Sequence, residues 1–438
     1  MRLILLFSLL LSGLASAAET PPTHDFTLDN GLRVILREDH RAPVALAMVW
    51  YKVGSYDEAP GETGLAHLLE HMMFRGTERL PPGDFSRLMS RFGAEENAFT
   101  SYDFTAYFQK FEVSRLPLVL ELEADRMHNL VISDEDFARE RNVVMEERRQ
   151  RTEDNPSALA YEKFSALTRP GSGYASPVIG WRDELAQLQP QQARHWYEQW
   201  YVPGNATLVI AGDITRDEVE PLVRKYFDKV PAGEVPVRLK PRLASEPGER
   251  RAVIKVAVKV PSVYLAYNVP TLATHPADFY ALMMLSGVLD GGYASRIETN
   301  LVRGKKLVAG AGANYDGISR GDGLLTLSAT PADGVSLEKV EAALEAELDA
   351  LRREPPSEEE MTRVRAGVLS SRIFGMDSLF GQAMEIGQLV TLGIDWRLSD
   401  QFAERLEKVT PEDVQRMAQT WLVPQRRTVA WVQAEEEQ

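Results

Sequence analysis

His67 and His71 stand four residues apart in the stretch "GLAHLLEHMMF", with Glu70 between them. On a helix that spacing puts both imidazoles on one face, with about 5–6 Å between Cβ atoms, so a single cation can take both rings. Glu70 follows His67 by three and lies near the same face, within reach of a water held there. The competing reading is a core helix with three polar residues, and five positions alone do not separate the two. Their setting does more. The neighbours are apolar, and burying two imidazoles and a carboxylate among them needs a compensating partner. The chain has seven histidines and no cysteine, so two histidines at helical spacing are not casual. A catalytic zinc needs a third protein ligand, and here that ligand must be a carboxylate.

The segment "SDEDFARERNVVMEERRQRTED" offers it. Ser133 is placed to cap a helix whose first turn is acidic. Along that helix Phe137, Glu140, Val144 and Glu147 form one stripe, and acids embedded in an apolar stripe are costly unless something satisfies them. Glu146 points about 100° away, among solvated charges. The spacing leaves both Glu147 and Glu140 open as the third ligand. The order His-x-x-Glu-His reverses that of the zincin helix motif.

Two or three domains are expected from 438 residues. A hydrophobic content of 44% with 26% charged residues is that of a globular protein, and the formal charge of −15 argues against nucleic acid or anionic lipid as a partner. Residues 1–17 read as a secretory signal: Arg2, then the apolar run Leu3 to Leu11, then Ala15-Ser16-Ala17 as a cleavage site. That run is too short to span a bilayer and no second candidate follows. A soluble, exported mature chain, periplasmic in location, is the expectation. Without cysteine, its stability must come from its cores.

The mature chain opens as strands. "FTLDNGLRVILRED" places Asn30-Gly31 at a hairpin turn, and "APVALAMVWYKVG" reads as a longer strand. "DFSRLMSRFG" is a short helix ending at Gly93, and "AEENAFTSYDFTAYFQKF" alternates as a strand pair does. A weak internal repeat organises the rest. Trp200-Tyr-Val-Pro203 and Trp421-Leu-Val-Pro424 each close a helix and precede a strand. "VYLAYNVPTLATHPADFYALMMLSGVL" repeats the strand-loop-helix order that leads into the histidine helix. The expected fold class is α+β: two homologous half-domains, each a mostly antiparallel sheet packed with helices. They are bounded as 18–232 and 251–438 around a Pro- and Gly-rich linker, 233–250.

With these features in view, the chain resembles the pitrilysin/insulinase family of inverzincin zinc metallopeptidases. Within it, the branch closest to the mitochondrial processing peptidases and their bacterial relatives fits best. The resemblance runs through "LDNGLRVIL", "VGSYDE", "TGLAHLLEHMMFRGT", "ENAFTSYDFTAY", "ERNVVMEERRQRTEDNP", "SPVIGWRDEL" and "WYVPGNATLVIAGD", nearly the whole mature chain. It implies one Zn2+ per chain on His67, His71 and Glu147, with Glu70 as the general base that takes a proton from the attacking water. Glu140 then becomes a supporting acid in the catalytic site. It also implies a sheet edge at Asn97, Ala98, Phe99 and Thr100 that binds peptide substrate by strand addition, and a clam-shell assembly of half-shells. The sequence departs from the family at one place. Single-chain members carry an Arg and a Tyr seven residues apart in the second half. Here those slots hold Val302 and Ala309, and counting from Arg303 reaches Gly310. Tyr315, by a shifted geometry, is the remaining substitute. The expectation is a zinc endopeptidase needing a homologous non-zinc subunit, as a heterodimer, or else a homodimer. The alternative is a non-catalytic, core-type subunit of a hetero-oligomer.

Overall fold

The computed structural model describes residues 21–241 and 248–435. The expected leader, 1–17, lies outside the described residues. The first lobe is a six-stranded sheet of β1 (Thr23–Thr27), β2 (Arg33–Glu38), β3 (Val44–Tyr51), β4 (Glu95–Thr100), β5 (Thr105–Glu112) and β6 (Ala206–Gly212), in the order β1-β2-β6-β3-β5-β4. The second is a five-stranded sheet of β7 (Arg250–Val256), β8 (Ser262–Val269), β9 (Val308–Asp316), β10 (Gly323–Pro331) and β11 (Arg427–Ala434), in the order β7-β11-β8-β10-β9. Without β1 the two orders are the same. Each sheet has one parallel pair, β2 with β6 and β7 with β11, at the same place. The register repeats too: Tyr51 opposes Thr105 as Val269 opposes Gly323. The fold is α+β in two homologous lobes.

Local chemistry accounts for the repeated units. The β1–β2 turn is closed at Gly31, whose φ of 92° favours glycine, while Asn30 Nδ2 donates to the carbonyls of Phe227 and Val230 at 2.7 and 3.0 Å. The helices Pro190–Trp200 and Pro411–Trp421 both begin with proline, which has no N–H to lose there. Both then pass through a 3₁₀ turn starting at a second proline, Pro203 or Pro424, into β6 or β11.

The lobes exchange helices. Pro156–Thr168, from the first half, lays Ala160 and Phe164 on Ile254, Val256, Ala266 and Val432 of the second sheet. Leu379–Thr391, from the second half, lays Ala383, Ile386 and Val390 on Leu46, Met48, Trp50 and Val209 of the first. Each sheet is therefore covered on one face by its own lobe and on the other partly by its neighbour. The fit is closest at Gly387, where an added Cβ would overlap the fully buried Trp50 indole. Gly387→Ala is expected to cost about 3 kcal/mol by overpacking, read as a lowered denaturation midpoint at unchanged m-value.

A buried charge cluster also joins the lobes. Arg320, between β9 and β10, donates to Asp103 at 2.8 Å and to Asp57 at 3.0 Å. Arg238, in the linker, reaches the other oxygen of Asp57 at 2.5 Å, and Tyr174 donates its hydroxyl to Asp103 at 2.9 Å. Asp103 sits in the turn between β4 and β5, so this cluster holds that hairpin against the second lobe.

Candidate metal centre and peptide strand

The motif helix, Leu65–Met72, is held at its N-terminus by carboxylates from elsewhere. Glu58 accepts the Gly64 and Ala66 amides at 3.0 and 2.8 Å, and Glu184 accepts the Thr63 amide and hydroxyl at 3.1 and 2.7 Å. These groups satisfy N–H donors at and just before the helix start, and burial pushes the Glu58 carboxyl well above its ordinary value. Leu65, Leu68, Leu69, Met72 and Met73 are buried in the first lobe's core, which turns the face carrying His67, Glu70 and His71 toward the acidic helix Asp134–Arg148. That helix is capped by Ser133, which accepts the Asp136 amide at 3.0 Å, and it buries Phe137, Glu140 and Val144.

The two helices bring His67, His71 and Glu147 together, with one ligand atom of each within 4.8 Å of the others. Glu147 Oε2 lies 3.3 Å from His71 Nε2 and 4.0 Å from His67 Nε2. Ligand atoms on a tetrahedral zinc, each about 2.0–2.2 Å from the ion, stand about 3.3 Å apart. The set therefore fits a zinc ion after sub-ångström adjustments. Glu140 is placed differently. Its Oε2 is 3.4 Å from the far nitrogen of His71, Nδ1, where it orients the ring, and Arg75 pairs with its other oxygen. His67 Nδ1 is buried with no hydrogen bond, so packing alone holds that ring.

The electrostatics suit a cation. Burial, then repulsion by His71, pushes His67 down to about 4, so it is neutral at pH 7. Burial also opposes a charge on His71, but Glu140 and Glu147 outweigh it and raise the ring to about 9. The His71 hydrogen bond draws Glu147 below the usual carboxylate range against the effect of burial. Arg151 Nη1, on the π-helical turn that follows, meets the outer oxygen of Glu147 at 2.5 Å. His71 thus lies between two carboxylates that favour its charged form, Glu140 on Nδ1 and Glu147 on Nε2, and the Nε2 side is where a divalent ion would bind.

Glu70 is not part of the ligand set. Burial raises its carboxyl, and Thr100 donates its hydroxyl to Oε2 at 2.6 Å. Thr100 ends β4, which pairs with β5 alone among the described strands and so presents an open edge beside the motif helix. Ala98 and Thr100 face the motif helix. Phe99 faces the other way, its ring against Trp50, Phe104 and Phe380 at 5.7, 6.1 and 6.5 Å. Asn97 Oδ1 accepts the Ala98 amide at 2.9 Å.

The second lobe repeats this frame without its chemistry. Helix Pro276–Asp290 stands for the motif helix, and its burial pattern over residues 281–289 repeats that of residues 65–73 position for position. Met283, Ser286 and Gly287 occupy the places of His67, Glu70 and His71. Val364 and Ser371, on helix Glu358–Met376, occupy those of Glu140 and Glu147. All five line a cavity of about 480 Å³, and they supply no metal ligand set. The two residues that could substitute for an Arg/Tyr pair make local contacts here. Arg303 stacks on Tyr293 at 3.8 Å and donates to its carbonyl at 2.6 Å, while the Tyr315 hydroxyl donates to the Pro270 carbonyl at 2.7 Å.

Paired imidazoles, a distant carboxylate and two homologous α+β lobes define a class of zinc-protease fold, and the comparisons agree. The family profile described as "Insulinase (Peptidase family M16)" matches residues 33–180, and "Peptidase M16 inactive domain" matches residues 187–368. Zinc protease PqqE of Helicobacter pylori is 34% identical over 321 residues, covering 71% of each chain. The crystal structure of a protease from Helicobacter pylori superposes with a TM-score of 0.88 at 27% identity, over 94% of this chain and 100% of that one. The first half of the periplasmic protease PqqL from Escherichia coli shares the fold, with a TM-score of 0.78 at 22% identity over 94% and 91% of the two chains. The chain belongs to the insulinase family, peptidase family M16. Among the described residues, no helix is long and apolar enough to cross a membrane.

Proposed function

We propose that this chain is an exported zinc endopeptidase of the mitochondrial-processing-peptidase-like branch, acting on unfolded peptides, with peptidase and metal-free halves at 18–232 and 251–438. The observation that carries the reading is the convergence of His67, His71 and Glu147 within 4.8 Å, with Glu70 and the open edge of β4 beside them. His67, His71 and Glu147 would hold the ion, and Glu140 and Arg75 keep the His71 ring oriented. Bound zinc supplies Lewis acidity to the scissile carbonyl and the attacking water. The outward side of the edge strand at Asn97 to Thr100, away from β5, takes the peptide as an added strand, which fixes the scissile bond in place. Glu70 accepts the proton of the attacking water on its carboxylate and passes it to the leaving amine. A periplasmic location is supported by the apolar run of the expected leader at 1–17 and by the Escherichia coli relative, which is a periplasmic protease.

With Val302 and Ala309 in the Arg/Tyr slots and Arg303 and Tyr315 engaged elsewhere, the substrate grip is proposed to come from a homologous partner subunit. The full mature chain purified alone should carry about one zinc and cleave an unfolded reporter peptide slowly. Adding the partner recovered from the native envelope fraction should raise the rate. Fast turnover by a demonstrably homogeneous single chain would sink the partner requirement. Absence of zinc from wild type and His71→Ala alike would favour a structural subunit.

A further inference from the structure

We infer that Thr100 is a positioning residue for Glu70, acting through its hydroxyl. The inference rests on the reading of Glu70 as the proton acceptor and adds what aims it. A carboxylate on a helix retains rotamer freedom about three bonds, and a base that must meet one water proton works best when that freedom is removed beforehand. Thr100 Oγ1 donates to Glu70 Oε2 at 2.6 Å, a short, charge-assisted geometry. That bond occupies one oxygen and leaves the other for the water.

Thr100 is itself held from both sides. It is the last residue of β4 and opposes Thr105 across the hairpin. The turn beyond it is bonded at each step: Ser101 N–H to the Phe104 carbonyl at 2.8 Å, Ser55 N–H to the Ser101 carbonyl at 3.1 Å, and Tyr56 N–H to the Tyr102 carbonyl at 2.9 Å. Asp103 in the same turn receives Arg320 and Tyr174. The hydroxyl therefore stands on a hairpin fixed to both lobes. A β-branched side chain adds its own restriction at χ1. The bland alternative is that Thr100 only satisfies a half-buried carboxylate. The two differ in what the loss of the hydroxyl does to turnover.

Thr100→Val keeps the shape and branching and removes the donor. In the full chain, assayed with the partner where one is recovered, zinc content should stay at the wild-type level. The kcat should fall about 10- to 100-fold with KM within about twofold, and Thr100→Ser should restore most of it. In a Glu70→Gln background the same substitution should cost little further, because both changes strike one unit. A second readout needs no turnover. The carboxylate infrared band that disappears in zinc-loaded Glu70→Gln should shift in Thr100→Val and return in Thr100→Ser. An unchanged band, or a wild-type kcat in Thr100→Val beside an inactive Glu70→Gln, overturns the inference alone. A wild-type rate in Glu70→Gln would instead overturn the reading on which it rests.

Discussion

Glu70→Gln is expected to keep its zinc and lose about 10²- to 10⁴-fold in kcat, the range a positioned general base contributes. The amide has the carboxylate's shape and can still accept the Thr100 hydroxyl through its oxygen, so the helix and the metal ligands should stay in place. What it loses is the ability to take a proton. Burial already raises the Glu70 carboxyl above its ordinary value. That brings it closer to the pKa at which a base both remains ionised and binds a proton well. Peptide cleavage and zinc content should be measured on the same preparation. Joint loss of zinc and activity would show that Glu70 supports the metal site, and full activity would remove it from the chemistry. Glu140→Gln should behave differently. It loosens the His71 ring without touching the proton path, so its effect should fall on zinc affinity, by about 10- to 100-fold.

How much of this was legible in the sequence depends on the range of the interaction. The motif helix and its buried stripe follow from periodicity, and the structure buries the apolar neighbours of the two histidines, Leu65, Leu68, Leu69, Met72 and Met73. The stripe on the acidic helix was equally readable, yet it left Glu140 and Glu147 equivalent. Only the packing of one helix against the other puts Glu147 on the Nε2 side of His71 and Glu140 on the Nδ1 side. The repeat of Trp200–Pro203 at Trp421–Pro424 foretold two lobes with one topology. It did not foretell that each lobe covers its neighbour's sheet with a helix, because Phe164 and Ile386 carry the same apolar signal whichever sheet they meet. The grip of Glu58 and Glu184 on the motif helix was missed for a similar reason. Glu58 stands in a turn-rich loop where acids are usually solvated, and nothing local marks Glu184 as a partner of Thr63. The Thr100 bond to Glu70 spans thirty positions between strand and helix, beyond any periodic signal. Strand alternation does put Thr100 and Phe99 on opposite faces, and it was the one local clue to which of them looks toward the motif helix.

Removing a ligand should weaken the metal site severely, and acid should weaken it in a predictable way. If zinc binding of about 10–16 kcal/mol, the scale of small tetrahedral sites, is shared among its ligands, His71→Ala or Glu147→Ala should weaken zinc by at least about 10²- to 10³-fold. Glu147→Ala has a second consequence, since it also strips His71 of one of the two carboxylates that raise its pKa. The pH dependence follows from what must leave as zinc enters. His71, raised to about 9, carries a proton through the neutral range, whereas His67, lowered to about 4, does not. Between those limits one proton is displaced per zinc bound, so affinity should rise about tenfold per pH unit and level off above about 9. The metal-free protein should show the opposite trend in stability. A histidine whose folded pKa is raised contributes fully below its unfolded value of about 6.5, and that contribution is lost as pH climbs through the folded value. Between pH 6.5 and 9 the zinc-free chain should therefore become less stable while zinc binds more tightly. Parallel thermal melts of chelated and zinc-loaded protein across that range should draw apart as pH rises, and melts that stay parallel would mean that His71 is not the group zinc deprotonates.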